Sequence, residues 1–205
     1  MKFMEDEKLQ LLTQNLTNQT VGINRIVNGR IECFSCKRGQ NDKKASYKLK
    51  EKYAEEDANM EQQSVRLITD LILTLNASFP DYDFSSVSPS QFQRIGNPNL
   101  ALSNINNYLA EFASYNKTTF LPNLWKAINE VINLAECEVY EYKGEIVSRG
   151  NLLWEFHYFF SNKSLKRIVF FSCNQTHVSI QNGEFDTLEE EDSDIEAYDM
   201  DIVED

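Results

Sequence analysis

Few residues in this 205-residue chain are suited to covalent or metal chemistry. Cys33 and Cys36 enclose two residues, the spacing of a zinc knuckle or a redox pair. Cys137 and Cys173 form no second such pair, and both fall in or beside stretches that alternate like strands. Buried, inert thiols are therefore the expectation. A thiol- or zinc-dependent enzyme or metal-binding module at Cys33 and Cys36 is the alternative. His157 and His177 are the only histidines, and His157 sits among aromatics, as a packed or surface residue would. No glycine-rich phosphate loop, nucleophile elbow or histidine-rich metal motif occurs. No catalytic residue, metal or cofactor is expected.

The remaining candidates concern recognition and modification. Asp81 and Asp83 flank Tyr82 in a turn-rich stretch, where aspartates cap backbone donors or meet a partner. Lys163, Lys166 and Arg167 cluster at a turn, either as a solvated face or as a positive patch for an acidic partner. Ser46 follows Lys43-Lys44-Ala45, a basophilic kinase pattern, and Ser88 precedes Pro89. Thr187 and Ser193 precede acidic residues. A phosphate on Ser46 adds about −1.5 to −2 charges and would draw nearby lysines together.

The elements that must position these residues follow from periodicity. Leu9, Leu12 and Leu16 predict a helix over 5–16. Asn28-Gly29, between Ile26-Val27 and Ile31 to Ser35, predicts a hairpin turn. Residues 37–62 lose hydrophobic periodicity and predict a mobile, charged connector that exposes Ser46. Helices are predicted from Ser64 as N-cap, with Val65, Ile68, Leu71, Ile72 and Leu75 facing inward, and over 98–115, with Ile105, Tyr108, Leu109 and Phe112 on one face. A further helix opens at Pro122. Strands are predicted over 136–142, 152–160 and 165–173, with a turn at 161–164 and a possible extra strand at 177–180. The hairpin Leu152 to Cys173 should form the centre of the sheet. This is an α+β layout: a single globular domain, 1–183, with a mostly antiparallel central sheet flanked by helices.

Charge divides the chain. From Glu184 to Asp205 there are twelve carboxylates and no Lys or Arg, so the tail 184–205 is expected to be acidic and disordered. The other 20 of the 32 acids balance all 20 bases, and a neutral body argues against general DNA binding. No long uncharged apolar run suits a membrane span, and the acidic start is unlike a leader peptide.

Three blocks go beyond composition. They are Pro80-Asp81-Tyr82-Asp83-Phe84-Ser85; Leu124-Trp125-Lys126-Ala127-Ile128 leading to Cys137-Glu138-Val139-Tyr140; and Leu153-Trp154-Glu155-Phe156-His157-Tyr158-Phe159-Phe160 leading through Asn162-Lys163 to Lys166-Arg167-Ile168-Val169-Phe170-Phe171. In this order they resemble the signature boxes of the Maf family, global repressors of RNA polymerase III transcription. Gly29-Arg30-Ile31-Glu32 is similar to that family's N-terminal block. The resemblance implies a non-catalytic repressor that shuttles between nucleus and cytoplasm. It would bind RNA polymerase III near its clamp and keep it from the promoter-bound initiation factor that contains TATA-binding protein. Nutrient and stress kinases, TOR and protein kinase A among them, and a phosphatase would be regulatory partners. The connector here is short and poor in serine compared with the family pattern.

Overall fold

The structure, a computed structural model, describes residues 1–56, 61–116, 119–146 and 151–178. Its long strands arise where β-branched and aromatic residues alternate. These are β3 (Arg25–Ser35), β6 (Leu152–Asn162) and β7 (Arg167–His177). Short strands β1 (Lys2–Met4), β2 (Gln19–Thr20), β4 (Phe92–Ile95) and β5 (Glu138–Tyr142) complete a sheet of order β1-β3-β7-β6-β5-β4, with β2 also on β3. Every pairing is antiparallel, and β7 and β6 lie at the centre, as the alternation predicts. The turn keeps its expected length but falls two residues later, at 163–166, because β6 continues to Asn162 and β7 starts at Arg167.

Alternation gives the sheet two apolar faces. On one, Phe156, Tyr158, Phe160, Val169 and Phe171 pack beneath α1 (Glu7–Leu16), α4 (Pro98–Asn116) and α5 (Phe120–Ile132). On the other, Phe34, Phe159, Ile168 and Phe170 pack beneath α2 (Gln40–Glu56) and α3 (Gln62–Ser78). Each ring so buried stabilises the fold by roughly 1.5–3 kcal/mol relative to exposure. Asp6 caps α1 by accepting from the backbone N–H groups of Lys8 and Leu9, both at 3.0 Å.

Several sequence expectations are corrected. Asn28-Gly29 is not a turn but the middle of the 11-residue β3, opposite Asn174 and Cys173. Asn28 Oδ1 instead accepts from the Asn18 N–H at 2.7 Å, fastening the loop after α1. Gly29 lets α1 lie close: a Cβ there would stand 3.0 Å from both Cys173 Sγ and Leu16 Cδ1. The supposed mobile connector is largely helix α2, anchored by buried Leu49 and Tyr53, whose hydroxyl donates to the Val87 carbonyl at 2.8 Å. Helix α3 begins at Gln62 rather than after Ser64, and α5 at Phe120 rather than Pro122, because Phe120 is pulled into the core against Phe112. Tyr108 lies at the rim of the inward face of α4, 39% exposed, with its ring 5.2 Å from that of Trp154 and 5.4 Å from that of Phe156. The acidic tail, with Thr187 and Ser193, lies outside the described residues, as do positions 179 and 180 of the possible extra strand.

Candidate partner-binding surface

The β6–β7 turn is held from below. Asn162 Oδ1 accepts the Leu165 N–H at 2.9 Å, and its Nδ2 donates to the Ile132 carbonyl at 2.9 Å. Lys166 takes the left-handed conformation, φ 53°, and its carbonyl accepts the Cys36 N–H at 2.9 Å. Arg167 does not join the surface patch as expected. It is half-buried and donates to the Val131 carbonyl at 2.9 Å, near the C-terminal end of α5, where a cation is favoured by the unpaired carbonyls.

What remains exposed is Lys163 and Lys166, and the fold adds a third cation, Arg66, from α3. Together with Cys36, Asp70 and Asn162 they line a groove of about 310 Å³. Lys163 also reaches Glu138 at 2.9 Å. Burial works to raise the Glu138 carboxyl, but the hydrogen bond and charge of Lys163, with help from Tyr140 and Arg94, hold it below its ordinary value. Asp70 spends its charge on Arg38, which donates from Nε at 3.1 Å and again from Nη2. The rim is therefore positive, and its chemistry suits carboxylates on a protein surface. Arg66 carried no signal in the sequence, since it occupies an exposed position on an amphipathic helix like any solvated residue.

Asp81, Tyr82 and Asp83 are exposed as expected but belong to a different place. They follow the C-terminus of α3, whereas the groove lies along its first turns. The intervening helix is about 24 Å long, so the structure does not unite the two candidate sets. Asp83 caps its own loop by accepting from the Ser85 N–H and hydroxyl, both at 2.9 Å, and these bonds keep its carboxyl below the usual range. Tyr82 leans on Phe79 and Phe84, with ring centroids 6.5 and 6.3 Å away. Beside this turn lies a second basic hollow of about 440 Å³, lined by Lys44, Lys48 and Lys52 of α2.

The modification candidates divide similarly. Ser46 is buried, against expectation, and its hydroxyl accepts from Arg38 Nη1. Ser88 is exposed and caps the short turn Pro89–Gln91 in a capping box. The cysteine pair fails as a joint site. Cys33 lies on β3 and belongs to the core beneath α1, while Cys36, just past the strand's end, packs against the core beneath α3. Burial pushes each thiol up to about 11, away from the reactive thiolate. His157 is buried, in keeping with the packed alternative.

A family model described as Maf1 regulator matches residues 27–172, which include all but the first two residues of β3, the Asp81–Asp83 turn and the whole basic rim. This chain belongs to the Maf1 regulator family. A fission yeast (Schizosaccharomyces pombe) member, named a repressor of RNA polymerase III transcription, is 28% identical over 85% of this chain and 82% of its own. A Dictyostelium discoideum member with the same descriptive name is 43% identical over 50% of this chain, and the match spans only 38% of that protein's length. The crystal structure of citrus MAF1 superposes with a TM-score of 0.72 at 28% identity, covering 86% of this chain and 100% of the other. The Maf1 fold is thus the layered antiparallel sheet described above.

Proposed function

We propose that this protein represses RNA polymerase III transcription by binding the polymerase and preventing its recruitment to the promoter-bound initiation factor. The observation that carries the reading is the family match across 27–172, within which relatives bear the name of repressors of that polymerase. The geometry is consistent with work done by surface fit. Cys33 on β3 and Cys36 just past its end belong to opposite cores of the sheet, and the candidate charged residues line an open groove and a surface turn. Binding shifts the polymerase away from initiation only as far as the protein prefers the free enzyme to the assembled complex. The basic groove would meet an acidic patch near the polymerase clamp, and the Asp81–Tyr82–Asp83 turn a second contact. The initiation factor containing TATA-binding protein competes for the same polymerase, and naked DNA is not a specific target.

Regulation by nutrient and stress kinases, opposed by a phosphatase, and movement between nucleus and cytoplasm complete the proposal. Phosphorylating Ser46 would require α2 to lift, since the hydroxyl lies under Arg38. The added charge would then compete with Asp70 for that guanidinium.

The test is a pull-down of RNA polymerase III with the full chain, followed by factor-dependent transcription of a tRNA gene. Repression is expected to weaken in Arg66→Glu/Lys163→Glu/Lys166→Glu, with a loss that shrinks at high salt. Full-rate transcription at saturating protein, or tight binding to promoter DNA with none to polymerase, refutes the reading.

A further inference from the structure

The sheet face beneath α3 turns polar beyond Phe170. There the β6–β7 register sets His157 opposite Ser172 and Glu155 opposite Asn174. The His157 side chain is 3% exposed, and its ring stacks on Phe170 with centroids 6.5 Å apart at 21°. His157 Nδ1 lies 2.9 Å from Ser172 Oγ, which fixes the ring's orientation. The other nitrogen, Nε2, is buried without a hydrogen-bond partner, and so is Asn174 Oδ1 on the facing strand. Glu155 Oε2 stands 3.3 Å from His157 Nε2, yet the two are not aligned as donor and acceptor. A buried polar atom left unpaired destabilises the fold. Asn174 stands directly across from Glu155 in the register, so an electron-pair acceptor bound between the paired strands would satisfy both atoms and the carboxylate beside them.

We propose that Glu155, His157 and Asn174 form a site for a borderline divalent metal ion of the zinc class. The ion would be held by the Glu155 carboxylate, His157 Nε2 and Asn174 Oδ1, with water completing the shell. Ligand atoms about 2.0–2.2 Å from a tetrahedral zinc stand roughly 3.3–3.5 Å from one another, which matches the separation of Glu155 Oε2 and His157 Nε2. Two ligand atoms sharing one ion would stand at this separation without being aligned as donor and acceptor. The Nδ1–Ser172 contact would serve as the outer-shell partner of a metal-binding imidazole: in the tautomer that carries its proton on Nδ1, the ring donates to Ser172 Oγ and leaves Nε2 free. An imidazole nitrogen favours zinc, nickel or cobalt over magnesium and calcium. Among the described residues no three of His, Cys, Asp and Glu converge on a point; the third donor here is an amide oxygen. The site lies toward the end of the β6–β7 pair remote from its turn, away from the basic groove, so it stands whether or not the polymerase reading does.

The test uses the full chain, freed of metal with a chelator and kept in millimolar magnesium to occupy the carboxylates of 184–205. Thermal unfolding is followed against added zinc, and the visible absorption of the cobalt(II) form reports an imidazole ligand. Zinc is expected to raise Tm, and cobalt to give a band that saturates near a single equivalent. Glu155→Gln and His157→Asn should each weaken both effects at least tenfold, and Ser172→Ala by roughly tenfold, while His177→Gln at an exposed position leaves them unchanged. Circular dichroism identifies any variant that fails to fold; Glu155→Gln preserves shape at a half-buried position and is the deciding variant. The proposal is overturned if zinc leaves the wild-type Tm unmoved, or if Glu155→Gln and His157→Asn bind zinc and cobalt like the wild type.

Discussion

Replacing Arg38 by alanine tests how α2 is held. Its guanidinium donates to Asp70 on α3 through Nε and Nη2 and to Ser46 on α2 through Nη1, so one side chain joins both helices to each other. The Arg38 and Asp70 side chains are 15% and 10% exposed. Removing one partner of a buried pair costs about 3–5 kcal/mol, because the other charge is stranded, and the residual exposure with Arg66 nearby puts this case near the lower end. With a urea slope of roughly 2 kcal/mol per molar, an expected loss of about 3 kcal/mol moves the midpoint down by about 1.5 M.

The pH dependence of that loss has a definite sign. Burial raises the Asp70 carboxyl above its ordinary value even with Arg38 beside it. A folded value above the unfolded one means stability fully present below the unfolded value and lost as pH rises through the folded one. Removing Arg38 raises the folded value further, so the deficit of Arg38→Ala against wild type should narrow as pH falls through the carboxylate range. Amide exchange should show faster opening of Gln40–Glu56 at neutral pH. A loss under about 0.5 kcal/mol with unchanged protection of α2, or a deficit that widens toward acid, would refute the reasoning.

Two further outcomes can be measured directly. Gly29→Ala should destabilise by about 1–3 kcal/mol in urea unfolding, because its Cβ meets Cys173 Sγ and Leu16 at 3.0 Å in the packed core. The four thiols should resist alkylation at neutral pH until the chain unfolds, since burial raises Cys33 and Cys36 to about 11, Cys137 to about 12, and Cys173 further still; rapid native labelling of Cys33 with Cys36 would revive the paired-thiol alternative.

The central hairpin was legible in the sequence because its period is strict. Phe156, Tyr158 and Phe160 belong to one core and Phe159 to the other, as the alternation requires. Asn28-Gly29 misled because local turn chemistry was outweighed by eleven residues of pairing with β7, the glycine serving close approach instead. Helix α2 was illegible because it buries little: Ser46, Leu49 and Tyr53 keep helical spacing, but only two of them are large apolar groups among many lysines. Of the candidate surface, Lys163 and Lys166 could be read from their turn. Arg66 could not, because it reaches the groove only through the placement of α3 across the sheet. Arg167 looked equivalent to its neighbours until the C-terminal carbonyls of α5 claimed it.

The anchoring of the β6–β7 turn bears on how tightly a partner can be held. Its backbone is pinned by Asn162, by the Cys36 amide and by Arg167 before any partner arrives. Little loop entropy is left to lose on association, so the positive rim acts as a rigid template. The burden of adjustment falls on whatever docks there, and complexes formed through this edge should differ in how fast they dissociate more than in how this molecule is shaped within them.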